Sequence, residues 1–200
     1  MGYIMNISAI IMAAGLSKRM NQDKLTMKIK GKYIYEYIFE TINNCIDCFQ
    51  EVIVVAKDDN ILAKAIEVGF KTVKNELSHL GQSESIKLGI KNSGTVNGYM
   101  FFTADQPFIS KETIVKLTKE FQEKQNNIII PCYDGINGSP VIFPEVFKEQ
   151  LLKLSGDTGG KIIIKQNWNN TIKIPINSVY ENIDIDTMED YLRVCNEEGD

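Results

Sequence analysis

Residues 9–20 read Ala9-Ile10-Ile11-Met12-Ala13-Ala14-Gly15-Leu16-Ser17-Lys18-Arg19-Met20, an apolar run that passes through three small residues into two cations. An apolar run also marks a secretory leader, but a leader carries its cations before that run, and residues 1–8 hold no Lys or Arg. A buried strand ending in small residues fits better. Such a turn lets backbone approach a ligand closely, consecutive N–H groups can form a concavity for an anion, and Arg19 and Lys24 supply charge. The stretch is therefore read as a strand followed by a phosphate-binding loop. Its spacing is neither the Walker A pattern nor the G-x-G-x-x-G dinucleotide fingerprint.

The rest of the chain repeats that beginning. Short runs rich in Val, Ile and Phe predict strands over 6–13, 51–56, 71–74, 98–103, 127–131, 140–143 and 171–174. Segments of helical period between them predict helices over 33–45, 59–68, 83–91, 110–124, 144–152, 158–167 and 187–196. Asp59, Ser110 and Thr187 stand where helix-capping residues are expected. Alternation of this kind is the signature of βαβ units, so the expected fold is α/β with a mostly parallel twisted sheet. In the doubly wound order 3-2-1-4, the first and fourth strands are neighbours and a crevice opens beyond their carboxyl ends. Nothing marks a second domain, and residues 1–200 are read as one.

The fourth strand ends in Phe101-Phe102-Thr103-Ala104-Asp105-Gln106-Pro107. A carboxylate there can face the crevice and hold Mg²⁺, which takes one or two protein carboxylates and leaves other positions to phosphate and water. Residues 182–187 (Asn-Ile-Asp-Ile-Asp-Thr) alternate as a strand does, which puts Asp184 and Asp186 on one side, either as a second ligand.

The chain has 200 residues, 44% hydrophobic and 24% charged, as an ordinary globule has. No apolar run reaches the ~18 residues of a membrane span, and the expected location is the cytoplasm. A net charge of −4 argues against nonspecific nucleic-acid binding. That charge is uneven: residues 16–32 carry Lys18, Arg19, Lys24, Lys28, Lys30 and Lys32 against Asp23 alone, whereas residues 181–200 are strongly acidic. Of Cys45, Cys48, Cys132 and Cys195 only the first two have metal-like spacing, and the chain's one histidine, His79, gives them no partner set, so all four are read as reduced and structural. His79, just before Gly81-Gln82-Ser83, reads as an exposed loop residue with a ligand contact as the alternative, and Trp168 and Tyr180 read as packing aromatics with stacking on a flat ligand as the alternative.

Seven blocks now carry a resemblance: A-A-G-L-S-K-R-M, D-K-L, G-Q-S-E-S-I-K-L-G, A-D-Q-P, N-G-S-P-V-I-F, G-D-T-G-G-K and D-I-D-T-M-E-D-Y, in this order. The chain resembles the MobA-like nucleotidyltransferases, and within them the molybdenum cofactor cytidylyltransferases, over nearly its whole length. The resemblance implies a three-layer Rossmann-like nucleotidyltransferase fold of GT-A type, with helices on both faces of the sheet. It implies transfer of CMP from CTP to molybdopterin cofactor, with release of pyrophosphate, Mg²⁺ as cofactor and a molybdenum hydroxylase as recipient of the product. By position, it places nucleotide contacts at Ala13, Ala14, Gly15, Ser17, Arg19 and Lys24, and base and ribose contacts at Gly81, Gln82 and Ser83. It places catalytic roles on Lys24, Arg19 and Asp105, and metal ligands on Asp105 and Asp186. Ser139 stands where the cytidylyltransferases carry histidine, and Met188 where they carry proline. The alternatives are a guanylyltransferase, a transferase acting on a sugar or polyol phosphate, and a non-catalytic chaperone for the molybdenum cofactor. Guanylyltransferases open L-A-G-G where this chain has Met12-Ala13-Ala14-Gly15, which favours CTP.

Overall fold

The computed structural model describes residues 6–15, 20 and 23–197. In chain order the elements are β1 (Ile7–Ala13), β2 (Lys28–Ile29), β3 (Lys32–Tyr33), α1 (Ile34–Asn43), β4 (Glu51–Ala56), α2 (Asp59–Val68), β5 (Lys71–Lys74) and α3 (Gln82–Asn92). They continue with β6 (Gly98–Thr103), α4 (Lys111–Glu123), β7 (Ile128–Tyr133), β8 (Ile136–Asn137), β9 (Val141–Pro144), α5 (Lys148–Leu152), α6 (Lys161–Gln166), β10 (Thr171–Ile176) and α7 (Met188–Glu197). The principal sheet runs β10-β7-β9-β6-β1-β4-β5, with β8 paired to β7. Its β5-β4-β1-β6 half is parallel throughout, in the expected order 3-2-1-4. Only β9 runs against its neighbours on that path. The connection from β7 to β9, residues 134–140, is too short for the crossover of a dozen or so residues that a parallel return needs.

Period-2 alternation divides the core between the two faces of the sheet. Ile7, Ala9, Ile11 and Ala13 of β1 point to one face, where they meet residues of α1, α2, α4 and α7. Ile10 points to the other, with Ile86 and Ile90 of α3, Leu151 of α5 and Ile163 of α6. The result is three layers. Ile86 and Ile90 are 2% and 1% exposed, and burying each contributes roughly 1.5–3 kcal/mol. The close approach of α3 to β1 depends on Gly89, where a Cβ would lie 2.4 Å from Cγ2 of Ile10. That approach sets the first turn of α3 beside the carboxyl end of β1.

Several expectations need correction. The α2 cap is Asp58, one residue before the position expected, and its carboxylate accepts from the N–H groups of Asn60 and Ile61. Helix 33–45 is shorter, because Tyr33 belongs to β3 and Cys45 precedes a separate 3₁₀ turn. Helix 144–152 begins as a 3₁₀ turn and becomes α only at Lys148, and helix 158–167 shrinks to Lys161–Gln166 behind Gly159-Gly160. Residues 183–186 are not a strand: they follow a 3₁₀ turn, Val179–Asn182, as irregular chain. Among the described residues no helix is long and apolar enough to cross a membrane.

Candidate functional site

The carboxyl ends of β1 and β6 form one floor. Met12 lies in register with Thr103, and the ladder goes one step further, with the Ala104 N–H donating to the Met12 carbonyl at 3.1 Å. Asp105 follows at once and leans over the cleft. Lys24 reaches it from a 3₁₀ turn, Lys24–Thr26, whose cap is Asp23; the Asp23 carboxylate accepts from the Leu25 N–H at 3.2 Å. Asp186 arrives from the other end of the chain. Its position is fixed by Asp190, whose Oδ2 accepts from the N–H groups of Asp186 and Thr187 and from the Thr187 hydroxyl, while the Asp190 N–H donates to Thr187 Oγ1. Burial opposes ionisation of Asp190, but these bonds outweigh it and hold the carboxyl below its ordinary range. A second tie runs between the two acidic loops, as the Ile185 N–H donates to the Asp105 carbonyl at 3.1 Å. Glu181 adds a third by accepting from the Ser110 N–H at 3.0 Å.

These ties bring three charges together. The Lys24 ammonium donates to Asp105 Oδ2 at 2.5 Å and to Asp186 Oδ1 at 2.7 Å. The two oxygens are therefore no more than about 5 Å apart, close enough to share one cation. Burial works against the charged form of Lys24, yet the charges and hydrogen bonds of Asp105 and Asp186 raise its pKa above the ordinary value. Asp105 Oδ1 is buried and has no hydrogen-bond partner among the described residues, an acceptor with lone pairs to offer. Asp184, though exposed, sits near enough to be affected. Desolvation and the charges of Asp105 and Asp186 raise its pKa to about 6, against smaller opposing contributions from Lys24 and a hydrogen bond with Gln106. Among the described residues no set of three or more His, Cys, Asp and Glu side chains is arranged to hold a metal. Two carboxylates suit a cation that takes its remaining ligands from phosphate and water.

A cavity of about 300 Å³ opens over this triad, lined by Ala14, Gly15, Lys24, Ser78, Gly81, Gln82, Ser85, Asp105, Asp157 and Asp186 among others. Gly81 has φ +109°, and a Cβ there would lie 2.2 Å from the Gly156 carbonyl carbon. The Ser83 N–H donates to the Gly156 carbonyl at 3.2 Å, so the 81–83 and 156–157 loops lock together as one wall. A second cavity, of about 700 Å³, shares Met12, Gln82, Thr103 and Asp157 with the first and continues past Phe101, Ile130, Ser139, Phe143, Lys161 and Trp168.

Of the residues expected from sequence, Ala14, Gly15, Lys24, Gly81, Gln82, Asp105 and Asp186 line the smaller cavity. Ala13 and Ser83 do not: Ala13 is 1% exposed in the core beneath, and Ser83 is fully buried behind the wall. Ser17 and Arg19 lie outside the described residues. Ser85 and Asp157 were missed. Ser85 accepts from the buried Asn75 side chain at 3.0 Å, a pairing visible only once β5 and α3 are folded together. His79 is exposed, Tyr180 packs on Phe108 and Trp168 is 45% exposed at the rim of the larger cavity, which departs from its reading as packing. The cysteines are free, and burial pushes the Cys45 thiol up to about 12, far from a metal-binding thiolate.

The fold and cleft define a Rossmann-like α/β protein with an acidic pair and the Ala14-Gly15 pair, just past the carboxyl end of β1, lining one cleft. Residues 9–171 match the MobA-like NTP transferase domain, and the chain belongs to that family. A probable molybdenum cofactor guanylyltransferase from Natranaerobius thermophilus is 35% identical over 132 residues, covering 65% of this chain and 62% of that protein. One from Aquifex aeolicus is 26% identical over 192 residues, covering 92% and 88%. The crystal structure of Rv0371C in complex with manganese, from Mycobacterium tuberculosis H37Rv, matches with a TM-score of 0.77 at 18% identity, covering 96% of this chain and 98% of that one.

Proposed function

We propose that this protein is a metal-dependent nucleotidyltransferase that joins a nucleoside monophosphate to molybdopterin cofactor. The carrying observation is the convergence of Asp105 and Asp186 on the Lys24 ammonium in the cleft that Ala14 and Gly15 also line, in a chain of the NTP transferase family. An oxygen of the acceptor's terminal phosphate attacks the α-phosphorus, the bond from the α-phosphorus to the bridging oxygen breaks, and pyrophosphate leaves. That oxygen is already anionic, so no general base is needed and catalysis reduces to position and charge. Asp105 and Asp186 would hold the divalent ion, which supplies charge neutralisation at the α-phosphate and the leaving pyrophosphate. Asp105 Oδ1, buried and unpartnered, fits that role, and the manganese bound by the Mycobacterium protein supports a divalent ion here. Lys24 neutralises charge growing on the α-phosphoryl oxygens, and Arg19, assigned by sequence position alone, holds the β- and γ-phosphates. Gly81 and Gln82 face the nucleoside, and the adjoining larger cavity receives the pterin.

CTP is the proposed donor, on the strength of Met12-Ala13-Ala14-Gly15, where guanylyltransferases open L-A-G-G. GTP is the second reading, favoured by the names of the Natranaerobius and Aquifex relatives. The test is incubation with CTP, GTP, UTP and ATP separately, each with Mg²⁺ and molybdopterin cofactor. Pyrophosphate release with CTP alone supports the proposal, and release with GTP alone replaces the donor. Cofactor binding without release from any nucleotide favours a chaperone and overturns the transferase reading.

A further inference from the structure

The cation that the two carboxylates share in this structure is the protein's own. Lys24 Nζ, on a side chain only 10% exposed, lies 2.5 Å from Asp105 Oδ2 and 2.7 Å from Asp186 Oδ1. A divalent ion ligated by the same two oxygens would lie about 2 Å from each. It would therefore claim the notch that the ammonium fills, and like charges at that range in a partly buried site repel strongly. Lys24 and a metal bound through those two oxygens are thus exclusive occupants of one seat. The lysine has a flexible four-carbon stem and a compact head with three donors, and can swing as a carboxylate pair cannot. The cleft above would offer it a further partner of high negative charge: a triphosphate seated against Ala14 and Gly15, which would also supply the oxygens that complete a divalent ion's shell.

We propose that Lys24 is an internal counter-ion that couples divalent-cation binding to triphosphate binding, holding the Asp105–Asp186 seat against free metal until a triphosphate draws the ammonium away. This inference rests on the transferase reading for the nature of the anion, but its test needs no turnover. Lysine in the seat offsets part of the charge of two half-buried carboxylates in the resting protein, and it makes the metal–nucleotide complex the preferred ligand over either part alone.

The experiment is Mn²⁺ titration, followed by the electron paramagnetic resonance signal of free Mn²⁺, on wild type, Lys24→Met and Lys24→Gln. With Mn²⁺ alone, both variants bind at least tenfold more tightly than wild type, and Mn²⁺ raises their melting temperatures more than that of wild type. Addition of Asp105→Asn to Lys24→Met abolishes the gain. With a non-hydrolysable CTP analogue present, and chelation in solution subtracted, Mn²⁺ affinity rises more in wild type than in either variant. Equal Mn²⁺ affinity in wild type and both variants overturns the proposal, as does a gain that survives Asp105→Asn or an equal rise with the analogue. Each of those results leaves the transferase reading standing if pyrophosphate is released; absence of release fails that reading without touching the titration.

Discussion

The two adjoining cavities differ in what lines them. The smaller one gathers its charges from distant parts of the chain, at Lys24, Asp105 and Asp186, and ties their loops by backbone hydrogen bonds. The larger one is walled by Phe101, Ile130, Val141, Phe143 and Leu151, with Thr103, Ser139 and Lys161 among its polar lining. One is built to place charge and the other to accept a shape. If that division holds, substitutions in the first change the rate of the chemical step, and those in the second change acceptor affinity and leave the rate alone.

The largest effect is expected at Asp105. Asp105→Ala removes a preorganised contact of the kind worth about 3–4 kcal/mol of barrier, so kcat falls roughly 10²- to 10³-fold with acceptor KM little changed. Steady-state pyrophosphate release measures it, and a variant of wild-type kcat breaks the comparison outright. Gly81→Ala comes next. Its methyl would meet Gly156 backbone at 2.2 Å in a conformation that already disfavours a side chain, at a cost of about 1–3 kcal/mol. For a chain of this size that lowers Tm by roughly 2–12 °C, readable by calorimetry, and nucleotide KM rises with it because the shared wall moves.

Trp168→Ala sharpens the contrast from the other side. Loss of a ring that can stack on a flat acceptor is worth about 1–2 kcal/mol, a roughly five- to thirtyfold rise in acceptor KM with kcat within about twofold. A fall in kcat with unchanged KM contradicts the division. The smallest effect belongs to Asp184. Its pKa in the folded protein is about 6, above the 3.8 of the free side chain, so the fold is favoured by its protonated form and that contribution is lost as pH rises from about 4 to about 6. Because the residue is exposed, solvent screening reduces the effect to under about 1 kcal/mol. Asp184→Asn removes the loss, so its Tm gains on that of wild type between pH 4 and 7; a constant difference across that range refutes the assignment.

The same contrast governs what the sequence discloses. The parallel half was legible because β1, β4 and β6 are largely apolar runs and each helix has its own period, and β4, α2, the edge strand β5 and β6 fall at the expected residues. The β2–β3 hairpin escaped because its turn is Lys30-Gly31, with φ of +50° and +82°, and lysine in a left-handed position gives no signal in sequence. The β7–β8 turn, Asp134-Gly135, has similar geometry and does carry the usual residues, so this hairpin has a signal in the sequence that the first lacks. At the site, Lys24 and Asp105 stand out by position, beside the small residues after β1 and at the end of β6, whereas the choice of Asp186 over Asp184 rests on the family resemblance alone. Asp184 and Asp186 were assigned a common side by a strand alternation that does not exist, since Thr187 and Asp190 cap α7 and turn the chain instead. Ser85 and Asn75 were illegible, because their pairing depends on the packing of β5 against α3.

The most direct measurement is anomalous scattering from crystals of the full chain soaked with Mn²⁺ and a non-hydrolysable analogue of CTP or GTP. The account predicts a manganese peak about 2 Å from carboxylate oxygens of both Asp105 and Asp186, in contact with a triphosphate over Ala14 and Gly15. Manganese away from that pair, or a triphosphate seated only in the larger cavity, contradicts it.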